Sequence, residues 1–412
     1  MTHAAGDPGM PAWANGVDSA ISSNAAAIAL RVTTADAATA TATAAAATAL
    51  KLDITAAATS YIQTVPILEG LTALVYGDSW TGSDVNNTPG NRWPLRIARR
   101  TGMTVTNRGI SGYCSQDIAR QAIATTAPAN PIAANVSGVV INAGNLNDCR
   151  LTDNAATRAA NLYALRAFVA VAQAPSRLES STTITKQTPA AWQSNALTGA
   201  ASADESIGIT AAVNASAYSQ WIDIPIAAAG DYVILTHPTD GSAMRGARIT
   251  ATQAGATTVV ANMDGAHALT GASYPSNTAY GNGGILVRGL SVGNLRLTFD
   301  SNGLTSAQAF FDALVPVNRV NPPAVILTKP PLVTSAVWAK PALLAAICAN
   351  VDTIAAEFPE SVLVCDLSTG WDAASMLGSD GLHPNDLGEM HIASRFMSVL
   401  AGIPARAGVH RR

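Results

Sequence analysis

The feature that most constrains this chain is an alternation of short apolar runs with helix-length segments, broken once and then resumed. Runs at 71–76, 139–141, 325–327 and 362–364 are nearly continuous in apolar residues, as strands buried on both faces are, and Val105-Thr106-Asn107 reads as a further short strand between the first two. Helical periods separate or follow them at 93–100, 154–174, 341–358 and 386–400. In the second of these, Leu162, Leu165, Phe168 and Val169 fall on one side and predict an amphipathic helix. Such alternation predicts an α/β fold, a mostly parallel sheet wrapped by helices, with functional loops at the carboxyl ends of the strands. Between 176 and 321 the period changes. Runs at 221–226, 231–236, 247–252, 257–261, 285–288 and 295–299 are short, alternating and rich in Thr, Val and Ile, with Gly/Asn/Asp/Ser turns between them. This stretch predicts a β-sandwich inserted into the α/β unit.

Residues 1–65 are of a third kind. After an irregular start at Asp7-Pro8-Gly9 and Pro11, the chain leads into an Ala/Thr-rich tract at 35–49. A heptad frame passes through Ile21, Ala25, Ile28, Val32 and Ala35, then meets Thr39, Ala42, Ala46 and Ala49, which are too small to bury much surface. A lone helix of this kind gains little from packing. The expectation is a stalk that winds with copies of itself, as a homo-oligomer and specifically a trimer, or else a flexible or extended arm. The expected organisation is an arm at 1–65, a first α/β part at 66–175, the insert at 176–321 and a second α/β part at 322–412.

At 412 residues more than one domain is expected. A net charge of −3 with 12% charged residues provides no electrostatic footprint for nucleic acid or an anionic membrane. The histidines are scattered and the cysteines lack zinc spacing, so no metal site is expected. The start, Met1-Thr2-His3, carries neither a basic n-region nor an apolar h-region. No run of about 18 apolar residues has the bulk of a membrane span. The expectation is a chain that stays in the cytoplasm, or leaves the cell without a visible signal peptide, for instance by assembly into a particle.

The candidate chemistry starts at Tyr76-Gly77-Asp78-Ser79-Trp80, just past the first strand. A serine beside a glycine that lets the chain turn sharply is where a nucleophile can be held exposed. Its hydroxyl needs a base, a partner that orients the base, and donors for the oxyanion. His383 is the candidate base and Asp380, three residues earlier across a Gly-containing turn, its partner. The backbone amides of Ser79 and Gly112 and the side-chain amide of Asn147 are the candidate oxyanion donors. Ser79, Gly112 and Asn147 each follow a predicted strand, and the loop of Asp380 and His383 can reach the same edge. Taken singly, each has a bland alternative as a turn or capping residue.

Gly77-Asp78-Ser79, Asn107-Arg108-Gly109-Ile110-Ser111-Gly112, Asn147-Asp148 and Asp380-Gly381-Leu382-His383-Pro384, in this order, resemble the four blocks of the SGNH (GDSL-type) hydrolase family. The resemblance covers about 66–175 and 322–405. It implies a flavodoxin-like sheet and ester hydrolysis through an acyl-serine intermediate, with no metal or organic cofactor. Trp80 stands where the family has leucine, a change expected to act on packing. The third block departs from Gly-x-Asn-Asp, since Gly144 lies one place early, so the oxyanion asparagine is Asn147, with Asn145 as the alternative. Gly289-Leu290-Ser291-Val292-Gly293 also fits a nucleophile pattern, but strand-like runs flank it on both sides, so it reads as a hairpin turn. His391 lies inside the last helix and reads as structural. Cys114 and Cys149 each follow a site block. They are expected to be two buried thiols, a bond between them being the alternative.

Trp192, Trp221, Tyr218, Tyr232, Tyr274 and Tyr280 of the insert are candidates for stacking on sugar rings, with half or more expected in the core. An Ala/Thr heptad arm ahead of such a domain is similar to tail-fibre or minor tail proteins of bacteriophages. That likeness implies a virion-tail location, other tail proteins as partners, and an esterase removing acyl groups, acetyl foremost, from a surface polysaccharide. The alternatives are a lipase or thioesterase, and a receptor-binding or structural tail protein with an idle site.

Overall fold

The computed structural model describes residues 68–82, 86, 88, 90–124, 138–173, 178–179, 184–195, 206–209, 217–236, 248–253, 256–262, 283–301, 310–320 and 322–403. The predicted arm lies outside the described residues, as do Tyr274 and Tyr280. The chain divides into two units, Met1–Val65 and Pro66–Arg412. All that follows concerns the second.

Five parallel strands form its central sheet: β1 (Thr72–Tyr76), β2 (Thr104–Asn107), β3 (Val139–Asn142), β4 (Ala324–Lys329) and β5 (Val362–Asp366). Their spatial order is β5-β4-β3-β1-β2, the flavodoxin-like order. The inner strands β1 and β3 are buried almost throughout, which is why their sequences run apolar rather than alternate. Helices α1 (Ser79–Gly82), α2 (Trp93–Thr101), α3 (Ser115–Ala124), α4 (Ala155–Gln173), α5 (Pro341–Glu357) and α6 (Asp386–Leu400) accompany the sheet. Residues of α3, α4 and α5 share one apolar cluster with Leu74, Tyr76, Val140, Val325 and Leu327. On the other face α2 and α6 pack together, with the Trp93 and Phe396 rings stacked at 4.3 Å.

The insert leaves after α4 and returns at β4. One of its sheets is five-stranded, in the order Ala256–Asn262, Arg248–Gln253, Gly293–Asp300, Ser219–Ile226, Thr185–Lys186. A second runs Gly283–Leu290, Gly230–Thr236, Ala313–Pro316, Leu178–Glu179. Ile222, Ile224, Leu295 and Leu297 of the first sheet and Ile234, Ile285 and Leu314 of the second point into one core, the sandwich that the alternating pattern predicts. Three short strands, Trp192–Asn195, Ser206–Ile209 and Phe310–Phe311, form a third sheet.

Helix α4 differs from the amphipathic reading. Leu165, Ala167, Phe168, Val169, Ala170, Val171 and Ala172 are all at most 1% exposed. The reason is the insert: Val233, Leu235, Ala313 and Val315 of its four-stranded sheet join the same cluster from the other side. A helix held between two sheets is apolar all round. The approach is close enough that a Cβ on Gly284 would lie 2.6 Å from the backbone nitrogen of Ala167. Two arginines fasten the seam. Arg166 binds Glu357 in a bidentate pair at 2.7 Å and donates to the Gly284 carbonyl at 3.2 Å. Arg319 joins Asp231 of the insert to Glu360, at 2.7 and 2.8 Å, where the chain enters β5. The sandwich therefore stands beside the α/β unit, and its Arg319 fastening lies at the amino ends of the strands.

Ser291 lies between Gly283–Leu290 and Gly293–Asp300, which belong to different sheets, so its turn is a crossover rather than the predicted hairpin. Gln253 exchanges two hydrogen bonds of 2.7 Å with the Ser291 backbone. Trp192, Tyr218 and Tyr232 are buried in the sandwich core and are not available for stacking. Trp221 is half-buried, with the Arg296 guanidinium 3.7 Å over its ring. All four cysteines are free thiols. Among the described residues, no helix is long and apolar enough to cross a membrane.

Candidate active site

The carboxyl ends of β1, β2, β3 and β4 and the loop before α6 supply the candidate residues. After β1 the chain turns at Gly77 and enters α1, whose first residue is Ser79. Asp78 caps this turn, its Oδ1 accepting from the Trp80 amide at 2.9 Å. As the first residue of a helix, Ser79 has an amide with no carbonyl one turn back to bond. Two glycines let the neighbouring loops approach. A Cβ on Gly82 would lie 2.3 Å from the Gly109 carbonyl oxygen, and one on Gly144 2.9 Å from the Asp78 nitrogen. The displaced glycine of the third block thus has a packing role against the turn that carries Ser79.

His383 reaches Ser79 from 304 residues away: its Nε2 lies 2.9 Å from Ser79 Oγ. On the other side of the ring, Nδ1 lies 2.6 Å from Asp380 Oδ2. Asp380 Oδ1 accepts from the amides of Leu382 and His383, at 2.9 and 3.0 Å. Burial pushes the Asp380 carboxyl up, but the bonds from the His383 ring and these amides outweigh it and hold the pKa at about 2. The carboxylate is therefore ionised at neutral pH and fixes the tautomer with the proton on Nδ1, leaving Nε2 to accept from Ser79. Gly381 makes the turn possible with φ +64°, and its carbonyl accepts from the Thr334 and Ser335 amides.

Gly112 has φ +85°, and its amide makes no hydrogen bond among the described residues. The next carbonyl, that of Tyr113, accepts from Asn147 Nδ2 at 3.0 Å, which seats the Asn147 carboxamide beside Gly112. Asn147 lies in a short 3-10 turn, Leu146–Arg150, just past β3. Asn145, the alternative donor, faces elsewhere: its Nδ2 donates to the Thr328 carbonyl of β4 at 2.9 Å. The geometry therefore favours Asn147. His391 lies against Trp371, with Nε2 3.1 Å from the Leu367 carbonyl.

Sequence reasoning missed the part played by four residues. Trp80 is more than a packing substitute, because its indole donates to the Leu382 carbonyl at 3.0 Å and so ties the serine turn to the histidine loop. Trp338 donates to Asn147 Oδ1 at 3.1 Å. Beneath the site, Asp78 and Asp148 are both buried. Burial, aided by the charge of Asp148, overcomes the Trp80 and Asn147 amide bonds and lifts Asp78 to about 7. Burial likewise lifts Asp148 to about 6, against bonds from the Ser115 amide and hydroxyl at 2.9 and 2.7 Å. Aspartates following Gly77 and Asn147 are visible in the sequence, but nothing local says that they meet.

No family profile matches this sequence, and no curated protein does. Solved structures of similar shape exist at low identity. A member of the lipolytic protein G-D-S-L family from Veillonella parvula is 11% identical over 80% of this chain and 98% of its own, with a TM-score of 0.36. A two-domain esterase active on acetylated mannans is 9% identical over 65% of this chain and 95% of its own, with a TM-score of 0.31. A family 35 carbohydrate-binding module from Clostridium thermocellum is 15% identical over 34% of this chain and 94% of its own, with a TM-score of 0.23.

Proposed function

We propose that the protein is a serine ester hydrolase of the SGNH type, acting on O-acyl esters, acetyl foremost, of a cell-envelope glycan. The observation that carries the reading is the chain of contacts from Ser79 Oγ through both nitrogens of His383 to Asp380, at 2.9 and 2.6 Å. In the mechanism it supports, Ser79 Oγ attacks the ester carbonyl while His383 Nε2 takes its proton. The oxyanion is met by the Ser79 and Gly112 amides and by Asn147 Nδ2. Collapse expels the alcohol, which takes the proton from His383, and water attacks the acyl-serine by the same route in reverse. Asp380 remains ionised throughout and stabilises the imidazolium. Every one of these groups belongs to the protein itself.

The finer parts of the reading rest on the sequence. The Ala/Thr heptads of 1–65 support an oligomeric stalk, and with it a place in a phage tail. The sandwich at 176–321 supports a glycan-facing role. The test is hydrolysis of p-nitrophenyl acetate and longer esters by wild type and Ser79→Ala, followed by acetate release from acylated envelope polysaccharides. Turnover of acetate that disappears in Ser79→Ala is expected. A preference for long chains would favour a lipase. No Ser79-dependent turnover at any chain length would leave a binding or structural protein. Light scattering of the full chain and of a variant lacking 1–65 tests the stalk by the difference in stoichiometry.

A further inference from the structure

The neighbours of the Asn147 carboxamide admit only one orientation. It lies between the indole Nε1 of Trp338, 3.1 Å from Oδ1, and the carbonyl of Tyr113, 3.0 Å from Nδ2. An indole N–H can only donate and a carbonyl can only accept, so Oδ1 must face Trp338 and Nδ2 must face Tyr113. One Nδ2 hydrogen is then spent on Tyr113, and the other is left for a substrate oxygen. With the amide turned over, the carbonyl oxygens of Asn147 and Tyr113 would oppose each other and the indole would have no acceptor.

We infer that Trp338 is a positioning residue for the oxyanion donor: its indole N–H holds Asn147 with the amide nitrogen toward the reacting carbonyl. The inference rests on the reading of Ser79 as a nucleophile. Trp338 is itself firmly placed. Its segment is pinned at one end where the Thr334 and Ser335 amides bond the Gly381 carbonyl, at 3.0 and 2.9 Å. At the other end, Lys340 Nζ donates to the Arg150 and Leu151 carbonyls, at 3.1 and 2.7 Å, at the exit of the turn that carries Asn147. The indole packs against Cys149, Leu343, Leu344 and Ile347. One segment after β4 thus joins the Asp380–His383 turn to the oxyanion turn. Because the oxyanion bond strengthens only as charge develops, loss of the orienting N–H acts on kcat and leaves KM nearly unchanged.

The test compares wild type, Trp338→Phe, Asn147→Ala and the double variant on p-nitrophenyl acetate. A further chain with benzothienylalanine at 338 keeps the ring volume and removes only the N–H, so that a folding defect in Trp338→Phe does not decide the outcome. Both changes at 338 are expected to lower kcat about 10-fold, less than the roughly 100-fold of Asn147→Ala, with KM within about twofold of wild type. In the Asn147→Ala background the change at 338 should cost nothing more. Ser79-dependent turnover with wild-type kcat in the benzothienylalanine chain, or losses that simply add, would overturn this inference alone. Absence of Ser79-dependent turnover in wild type would overturn the hydrolase reading and this inference with it.

Discussion

Two regions of the molecule solve opposite problems. At the carboxyl ends of the strands, polar groups are brought together and each is tied by hydrogen bonds: Ser79, His383, Asp380 and Asn147, with the buried acids Asp78 and Asp148 beneath them. Along α4, apolar groups of the sheet and the sandwich enclose a helix from both sides. The polar rim costs stability where acids are desolvated, and the apolar seam supplies it. The candidate site therefore lies in a region that costs stability, and the insert is attached at one that supplies it. If this division is right, substitutions at the rim should change rates with little change in stability, and substitutions at the seam the reverse.

The largest expected effect is at the rim. Asp380→Asn keeps the shape of the turn but offers Nδ1 an amide in place of an ionised carboxylate, which favours the wrong tautomer and no longer stabilises the imidazolium. A loss of kcat on the order of 10⁴-fold is expected on p-nitrophenyl acetate, while the thermal midpoint at pH 7 moves by less than about 2 °C. A comparable loss of stability would join rim and seam into one unit and break the comparison.

The next effect lies beneath the rim and is read against pH. The folded pKa of Asp78, about 7, lies above its ordinary value of 3.8, so the folded chain holds a proton that the unfolded chain has released. Stability from this group is fully present below about pH 4 and falls as pH rises through 7. Asp148, lifted to about 6, and Glu389, lifted by burial to about 8 against the Trp93 amide bond, act in the same sense. Asp78→Asn keeps an oxygen for the Trp80 and Asn147 amides and removes the titration. Between pH 5 and 8 the variant should lose less stability than wild type, by on the order of 2 kcal/mol in urea denaturation. Parallel pH profiles for the two proteins would remove Asp78 from the account.

How far the fold and site are legible in the sequence follows from the same division. The parallel strands and α6 fall within a residue or two of the predicted runs, because burial of the inner strands or a single repeating period leaves a local signature. The exposed edge strand β2 is marked only by its place between α2 and the glycine loop. The candidates Ser79, Asp380 and His383 are legible because Ser79 sits in a short block just past a strand, and Asp380 and His383 stand three residues apart across a glycine turn ahead of the last helix. Helix α3 is not, since its outer residues Ser115, Gln116, Asp117 and Arg120 are buried polar groups that blur the apolar stripe of Ile118, Ala119, Ala122 and Ile123. The buried outer face of α4 is also hidden, because its partner strands begin dozens of residues later. Trp338 stands in a loop without any period, and its partner Asn147 is 191 residues away. Local chemistry can be read from the chain, whereas long-range pairing needs the fold.

The smallest expected effect on rate tests the seam on its own. Gly284 lies where the insert's second sheet meets α4, and a Cβ there would stand 2.6 Å from the Ala167 nitrogen and 2.9 Å from its Cα. Both atoms belong to helix backbone, which cannot rotate aside as a flexible side chain would. Gly284→Ala must push the strand from the helix, strain the carbonyl that accepts from Arg166 Nη1, and open gaps around Leu235 and Phe168. A destabilisation of about 1–3 kcal/mol is expected from urea denaturation. Ser79-dependent kcat should stay within about twofold of wild type under folding conditions, because no contact made by Gly284 reaches the rim. If kcat fell tenfold while the protein remained folded, the sandwich would be acting on the site through α4. The insert would then be a working part of the proposed hydrolase and not a neighbour fastened to its side.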